Sequence, residues 1–409
     1  MPRKTLLAVL AATAITPAFA DDLANQLALA ETRLAALEQQ SSMADRVHIN
    51  GFMTFGMERT NTIRGTVVDP MGTPLADQPI SYQNSDTDWN LRSLSRAGIR
   101  ITTDINERAS AVVQLLSQGD NDYNTEVQWA YVAYELTPGL TWRAGRLVLP
   151  TYMHSQYTQA GYAYPWIELP AQVYGTLPID TMEGMDLTWS FNSGNINHTA
   201  NVTWGAVDLE TATGSYQVKN QAGINLTSRW QNWSSRVSYS IGQTTLALPD
   251  LTPGPNLAPF GLDDEFGYFA SIGGQYDNGQ WLVMAELVRL GVNAPAGWFP
   301  TQTAGYITGG YRIGRLMPHL TWSAVDSDDS SDCSADPVAC GSLASSNAVR
   351  SKSWTLGARY DLSTGIALKA EASRFYDFSN EETTNAALFS GLPSSSNPTV
   401  FRLAVEAAF

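Results

Sequence analysis

The residues of this chain best placed to act on charge are arginines spaced four apart. Arg92, Arg96 and Arg100 fall at i, i+4 and i+8, which on a β-strand puts three guanidiniums on one face, about 13 Å apart at each step. Their alternates Ala97, Ile99 and Ile101 are apolar, so this strand has one face for water and one for hydrocarbon. Arg143 can join the wet face from a later segment. A row of this kind does no covalent chemistry. A guanidinium keeps its charge where a buried lysine can shed its proton, so the row supplies a fixed positive field that steers anions. Beyond residue 4 only Lys219, Lys352 and Lys369 are lysines, so arginine carries most of the positive charge.

The groups able to oppose these arginines lie in one long segment, residues 147–183. Its carboxylates are Glu168, Asp180 and Glu183, and its commoner side chains are Tyr152, Tyr157, Tyr162, Tyr164, Trp166 and Tyr174. The segment is too apolar for a solvated tether, and loops of this length carry function or are disordered. Its tyrosines, tryptophan and prolines argue for order, either lining an aperture or packing the loop against a wall. Catalysis is not expected. The four histidines, His48, His154, His198 and His319, sit in no recognisable triad motif, and metal-ligand spacings and phosphate-loop patterns are absent. Neither a metal nor a cofactor is expected.

The elements that would position these residues are strands. Phe401, Leu403, Val405, Ala407 and Phe409 share one face of the last segment, with Arg402 and Glu406 on the other. This is the period-2 signature of a membrane barrel. Short turn sequences recur near residues 106–108, 137–139, 192–195, 231–232, 277–279, 314–315 and 363–365, with the residue types that hairpins prefer. Between them lie long segments at 61–88, 119–124, 147–182, 206–215, 243–263, 290–300, 325–351 and 377–397. Seven turns and eight loops predict an all-β, sixteen-stranded antiparallel transmembrane β-barrel over residues 47–409. Trp142, Trp189, Phe191, Trp230, Trp233, Tyr276, Trp281, Tyr311 and Tyr360 lie near the turns, where an interfacial girdle would run. The lumen of a barrel this size holds water, so something must narrow it to select solutes. The segment after the fifth strand, read as the longest loop, is expected to fold inward and do so.

Arg3 and Lys4 precede an apolar run at residues 6–15, and Ala18-Phe19-Ala20 fits a signal-peptide cleavage pattern, so residues 1–20 are expected to be removed. The exported chain would hold 22 basic against 39 acidic residues, a formal charge of −17, which disfavours nucleic acid as a partner. Residues 21–42 carry Leu23, Leu27, Ala30, Leu34 and Leu37 at 4-3-4-3 spacing, a short periplasmic coiled-coil helix. Cys333 and Cys340 are expected to form a disulfide in an oxidising compartment.

On Arg143-Ala144-Gly145-Arg146 running into Leu149-Pro150, on Gly161-Tyr162-Ala163-Tyr164-Pro165-Trp166 and on Glu183-Gly184-Met185-Asp186-Leu187, the sequence resembles the Gram-negative trimeric porins of the outer membrane. The resemblance extends from about residue 47 to the end. It implies a homotrimer of sixteen-stranded barrels in the cell outer membrane, in contact with lipid and lipopolysaccharide. It also implies an inward third loop as constriction and passive diffusion of small hydrophilic solutes and ions. In that family a basic wall faces an acidic loop. The wall candidates here are Arg92, Arg96, Arg100 and Arg143; the loop candidates are Tyr152, Tyr157, Tyr162, Tyr164, Trp166, Glu168, Asp180 and Glu183. Because these are more aromatic than acidic, two readings stay open, a general porin and a channel preferring small anions or aromatic carboxylates. A surface-binding or structural role is the third.

Overall fold

Strands that are apolar at every second position can hide their backbone polar groups from hydrocarbon only by closing on themselves, and this chain does so. The computed structural model describes residues 46–409 apart from 69–73, 84, 178, 212–213, 250–254, 329–331, 379–387 and 394–396. The expected signal peptide and coiled coil lie outside the described residues. Sixteen strands follow in chain order: β1 (Val47–Thr60), β2 (Arg96–Asn106), β3 (Ala109–Gln118), β4 (Thr125–Thr137), β5 (Leu140–Val148), β6 (Thr181–Ser193), β7 (Ile196–Thr211) and β8 (Gly214–Trp230) make the first half. The second half is β9 (Trp233–Leu246), β10 (Leu262–Asp277), β11 (Trp281–Val292), β12 (Gln302–Tyr311), β13 (Leu316–Ser327), β14 (Arg350–Ser363), β15 (Ile366–Tyr376) and β16 (Thr399–Ala408).

They form one closed antiparallel barrel. β16 returns to β1 in a register running from Phe52 opposite Ala408 to Thr60 opposite Val400. The seam is extended by reciprocal hydrogen bonds between Gly51 and Phe409, 2.8 and 2.9 Å. The alternation holds on the closing strand, where Phe401, Leu403 and Val405 are exposed outward and Arg402 and Glu406 are buried inside. All seven expected tight turns join consecutive strands. Gly279 and Gly365 sit in two of them at φ +85° and +81°, a region glycine enters without steric cost.

Two expectations about the connections change. Residues 206–215 do not form a long loop, because β7 and β8 continue their pairing to Gly214 opposite Thr211. The third loop, residues 149–180, is not the longest either, since the first connection spans residues 61–95. That connection forms a hairpin of Arg64–Val68 with Pro74–Pro79, joined by Leu392–Pro393 of the last connection into a small sheet. Beneath it Ile63, Ile80, Tyr82, Phe375, Phe389 and Val400 make an apolar cluster. A second cluster packs Leu262 and Trp298 against Cys340 and Leu343 of a short helix, Ala339–Asn347. Cys333 and Cys340 are disulfide-bonded there, Cα atoms 5.3 Å apart.

Candidate functional site

The third loop enters the barrel and is fastened along more than half of the wall. From β9 and β10, Arg236 donates to the Pro150 carbonyl (2.7 Å) and Ser271 to that of Thr151 (2.8 Å). Glu286 of β11 accepts from the Met153 amide and the Tyr174 hydroxyl, both at 2.7 Å. The Trp166 indole N–H donates to Thr321 of β13 (2.8 Å), and Ser323 of that strand donates to Gln172 (2.7 Å). Arg359 of β14 donates to the carbonyls of Tyr162 and Tyr164. Glu371 of β15 accepts from the Ile167 amide at 3.0 Å. On β16, Arg402 pairs with Glu168 at 2.7 Å and with Glu58 of β1 at 2.6 Å.

Lys369 and Glu371, which alternate with Leu368, Ala370 and Ala372 and so face inward, are buried. The Lys369 ammonium donates to the carbonyls of Gly161, Tyr164 and Trp166 at 2.7, 2.8 and 2.5 Å. A charged group this deep is tolerated only when paired and hydrogen-bonded, and Glu406 supplies the opposite charge at 2.7 Å. No motif singles these residues out. The one available signal is that charges at inward positions of the late strands lack polar neighbours in sequence.

Loop and wall share an apolar core. Tyr152, Tyr164, Trp166, Leu169 and Val173 pack on Phe269, Leu282, Met284, Val288 and Tyr306, so part of the expected aqueous lumen is filled by side chains. Tyr164 and Trp166 are only 3% and 1% exposed, whereas Tyr157 is 38% exposed; Tyr162 is half-buried. Of the loop aromatics, then, Tyr157 presents the most surface, and Tyr174 is half-buried like Tyr162. His154 lies within this core, its Nδ1 2.9 Å from the Tyr157 hydroxyl and its Nε2 3.2 Å from that of Tyr306. Burial and the nearby Arg236 cation lower its pKa to about 4, so it is neutral at physiological pH. Burial raises the Glu168 carboxyl, against the pull of Arg402.

The opposite wall, β2 to β5, keeps its charges for the lumen. Arg96 reaches the Tyr164 hydroxyl (3.3 Å) and Arg100 the Gln114 side chain (2.8 Å). Arg143 is tied to Asp186 of β6, with Nε 2.9 Å from Oδ1. Arg92 is not on this face. Asn90 accepts from the amides of Arg92 and Ser93 at 2.9 and 3.2 Å, a side-chain turn that competes with strand pairing. Arg92 therefore sits in the first connection and pairs with exposed Asp122. Glu183 is not on the loop: the β5–β6 register sets it opposite Arg146, its ion-pair partner, on the outward face with Met185 and Leu187. Asp180 is exposed and accepts from Gln128 at 3.3 Å.

Water-filled space remains on both sides of the loop. On the long-loop side a cavity of about 390 Å³ meets Arg96, Gln118, Gln159, Glu168 and Asp180. On the turn side one of about 460 Å³ meets Arg100, Gln114, Arg143, Gln156 and Tyr157, and another of about 430 Å³ meets Tyr162, Gln275, Arg312 and Arg359. The narrowing between the first two lies where loop residues 156–160 approach β2 and β3, with Gln118 3.4 Å from Gln159.

Known proteins share this architecture. A family model described as "Gram-negative porin" matches residues 7–380. No curated protein matches the chain. Among solved structures the chain is similar to the outer-membrane OmpT of Vibrio cholerae, at 12% identity and TM-score 0.54, covering 89% of this chain and 97% of that one. It is similar to an anion-selective porin from Comamonas acidovorans, at 15% identity and TM-score 0.54, covering 89% and 99%. The OmpF of Salmonella typhi, in complex with daunomycin, is 11% identical with TM-score 0.54 over 89% and 97%. At these identities the structures speak for the fold, and the family model speaks for kinship. A closed barrel narrowed by an inward third loop, matched to that family over most of its length, makes this chain a member of the Gram-negative porins, an outer-membrane channel for passive diffusion of small hydrophilic solutes.

Proposed function

We propose that the channel passes anions in preference to cations and works as a homotrimer. The observation that carries the first part is an imbalance at the narrowing. Among the described residues Arg96 and Arg100 make no ion pair, whereas of the two loop carboxylates in the cavity with Arg96, Glu168 is held by Arg402 and Asp180 accepts from Gln128. The chain as a whole is acidic, with acids such as Asp263, Asp264 and Glu265 near the outer end of β10. Over a screening length of about 8 Å at physiological salt, distant acids count for less than guanidiniums at the narrowing. The basic wall of this reading is Arg96 and Arg100, with Arg143 as a neutralised neighbour, and the loop side is Tyr157, Tyr162 and Glu168.

The trimer is supported by the aromatic girdle. Exposed Trp189, Trp230, Trp233, Trp281 and Tyr360 ring the turn end of the barrel from β6 to β14. β16, β1, β2 and β3 contain no tryptophan or tyrosine. Girdles mark lipid headgroups, so a face without one suits another copy of the chain. A conduit rather than an enzyme fits the same reading, since His154 serves the loop core and His319 is buried in the wall.

The test is the reversal potential across a potassium chloride gradient in a planar bilayer. The native channel should be anion-selective, and Arg96→Gln with Arg100→Gln should move it toward cations. Cation selectivity indifferent to both substitutions would sink the anion reading.

A further inference from the structure

The turn-side cavity holds more than charge. Its lining brings the rings of Phe52, Trp129, Tyr131 and Tyr157 around two guanidiniums, Arg100 and Arg143. The Arg100 guanidinium lies 4.1 Å from the Trp129 ring centroid, and that of Arg143 5.4 Å from Tyr131. The two cations differ, because Arg143 is neutralised by Asp186 while Arg100 has no carboxylate partner among the described residues. The Trp129 indole N–H, in the same wall, has no hydrogen-bond partner among the described residues. Phe52 covers Gly98 so closely that a Cβ there would come within 2.3 Å of the ring, which explains a glycine on the inward face of β2 between Arg96 and Arg100.

An inorganic anion would need only the guanidinium. Trp129 is buried beneath the Arg100 guanidinium, while Tyr157 presents ring surface to the same cavity, so an aromatic anion drawn to Arg100 would find ring contacts that an inorganic one does not use. We propose that this cavity is a binding site for small aromatic carboxylates of the benzoate type. The carboxylate meets Arg100, and the ring lies among Trp129, Tyr131 and Tyr157 in offset or edge contact. This rests on the anion-preferring reading above and names the solute class for it.

The experiment uses the native channel carrying chloride current in a planar bilayer, with sodium benzoate or sodium acetate added. Benzoate should reduce the current at about tenfold lower concentration than acetate, the order of one or two aromatic contacts. Trp129→Leu should erase most of that difference. Tyr157→Leu, which removes a partly exposed ring and also a hydroxyl bonded to His154, should narrow it. Equal potency of benzoate and acetate on the native channel overturns the proposal, as does a difference that survives both substitutions. If the chloride-gradient potential is anion-selective while the two salts act alike, only the aromatic site fails. If the native channel is cation-selective, the anion reading fails with it.

Discussion

Lys369 of β15 and Glu406 of β16 form an ion pair 2.7 Å apart with both side chains fully buried. The ammonium spends its N–H groups on three carbonyls of the third loop, so its attraction to Glu406 acts through charge across a short gap. The pair is one of several points at which wall and loop are joined.

Removing one member leaves the other charged and unpaired in a dry site, a cost of about 3–5 kcal/mol. Lys369→Met should leave the barrel closed, since its ladder is untouched, and release loop residues 161–166. Single-channel recordings should then show larger, noisier openings. Adding Glu406→Gln should recover stability, because the unpaired charge is gone, but leave the openings noisy, because the three loop carbonyls still lack their donor. A Lys369→Met channel as quiet as the native one would refute the anchoring role.

Gly161 approaches the same carboxylate. A Cβ at this position would lie 2.2 Å from Glu406 Oε1 and 2.6 Å from its Cδ, and Glu406 is pinned by Lys369. Gly161→Ala should therefore shift the loop and change conductance, while Gly309→Ala, on open outward surface with nothing within 4 Å, should not. Indistinguishable conductance for the two variants would show that the carboxylate can yield.

Acid should act on the loop core through His154. Its pKa falls from the ordinary 6.5 to about 4 on burial, so at this residue the released loop binds more protons than the packed one. The His154 share of the packing energy is fully present above pH 6.5 and declines as pH falls toward 4, by on the order of 3 kcal/mol at most. Gating noise recorded between pH 7 and 4.5 should therefore rise more steeply with the imidazole present than without it. His154→Gln, which cannot charge, should flatten that dependence; a slope equal to the native one would assign it to other groups.

The girdle-free face predicts where copies meet. Ile99→Arg, on exposed β2 surface, should abolish trimers in native electrophoresis. Leu287→Arg, on β11 within the girdled side, should cost the barrel about 2–4 kcal/mol and leave trimers intact. Trimers that persist in Ile99→Arg would place the interface elsewhere.

Much of the fold is written locally. Period-2 alternation, glycine-bearing turns and turn-end aromatics are properties of a few adjacent residues, so strand number, turn positions and the inward faces of Arg96, Arg100, Arg402 and Glu406 can be read from the chain alone. Where a local cue is weak the reading slips. Arg92 keeps the spacing of the ladder, yet the side chain of Asn90 turns the backbone before the strand begins. Glu183 reads as loop until the register opposite Arg146 draws it into β6.

The partner of each charge was decided only by tertiary structure. Lys369 meets carbonyls some two hundred positions earlier, and nothing in the neighbourhood of either segment encodes that meeting. Strand alternation says that a charge faces inward; it cannot say whether water or a returning loop waits there. That depends on barrel closure, which brings β9–β16 around the third loop and leaves β2–β5 facing the solute. Charges of one type thereby divide, Arg402, Arg359 and Lys369 holding the third loop while Arg96 and Arg100 line the space beside it with no ion pair among the described residues.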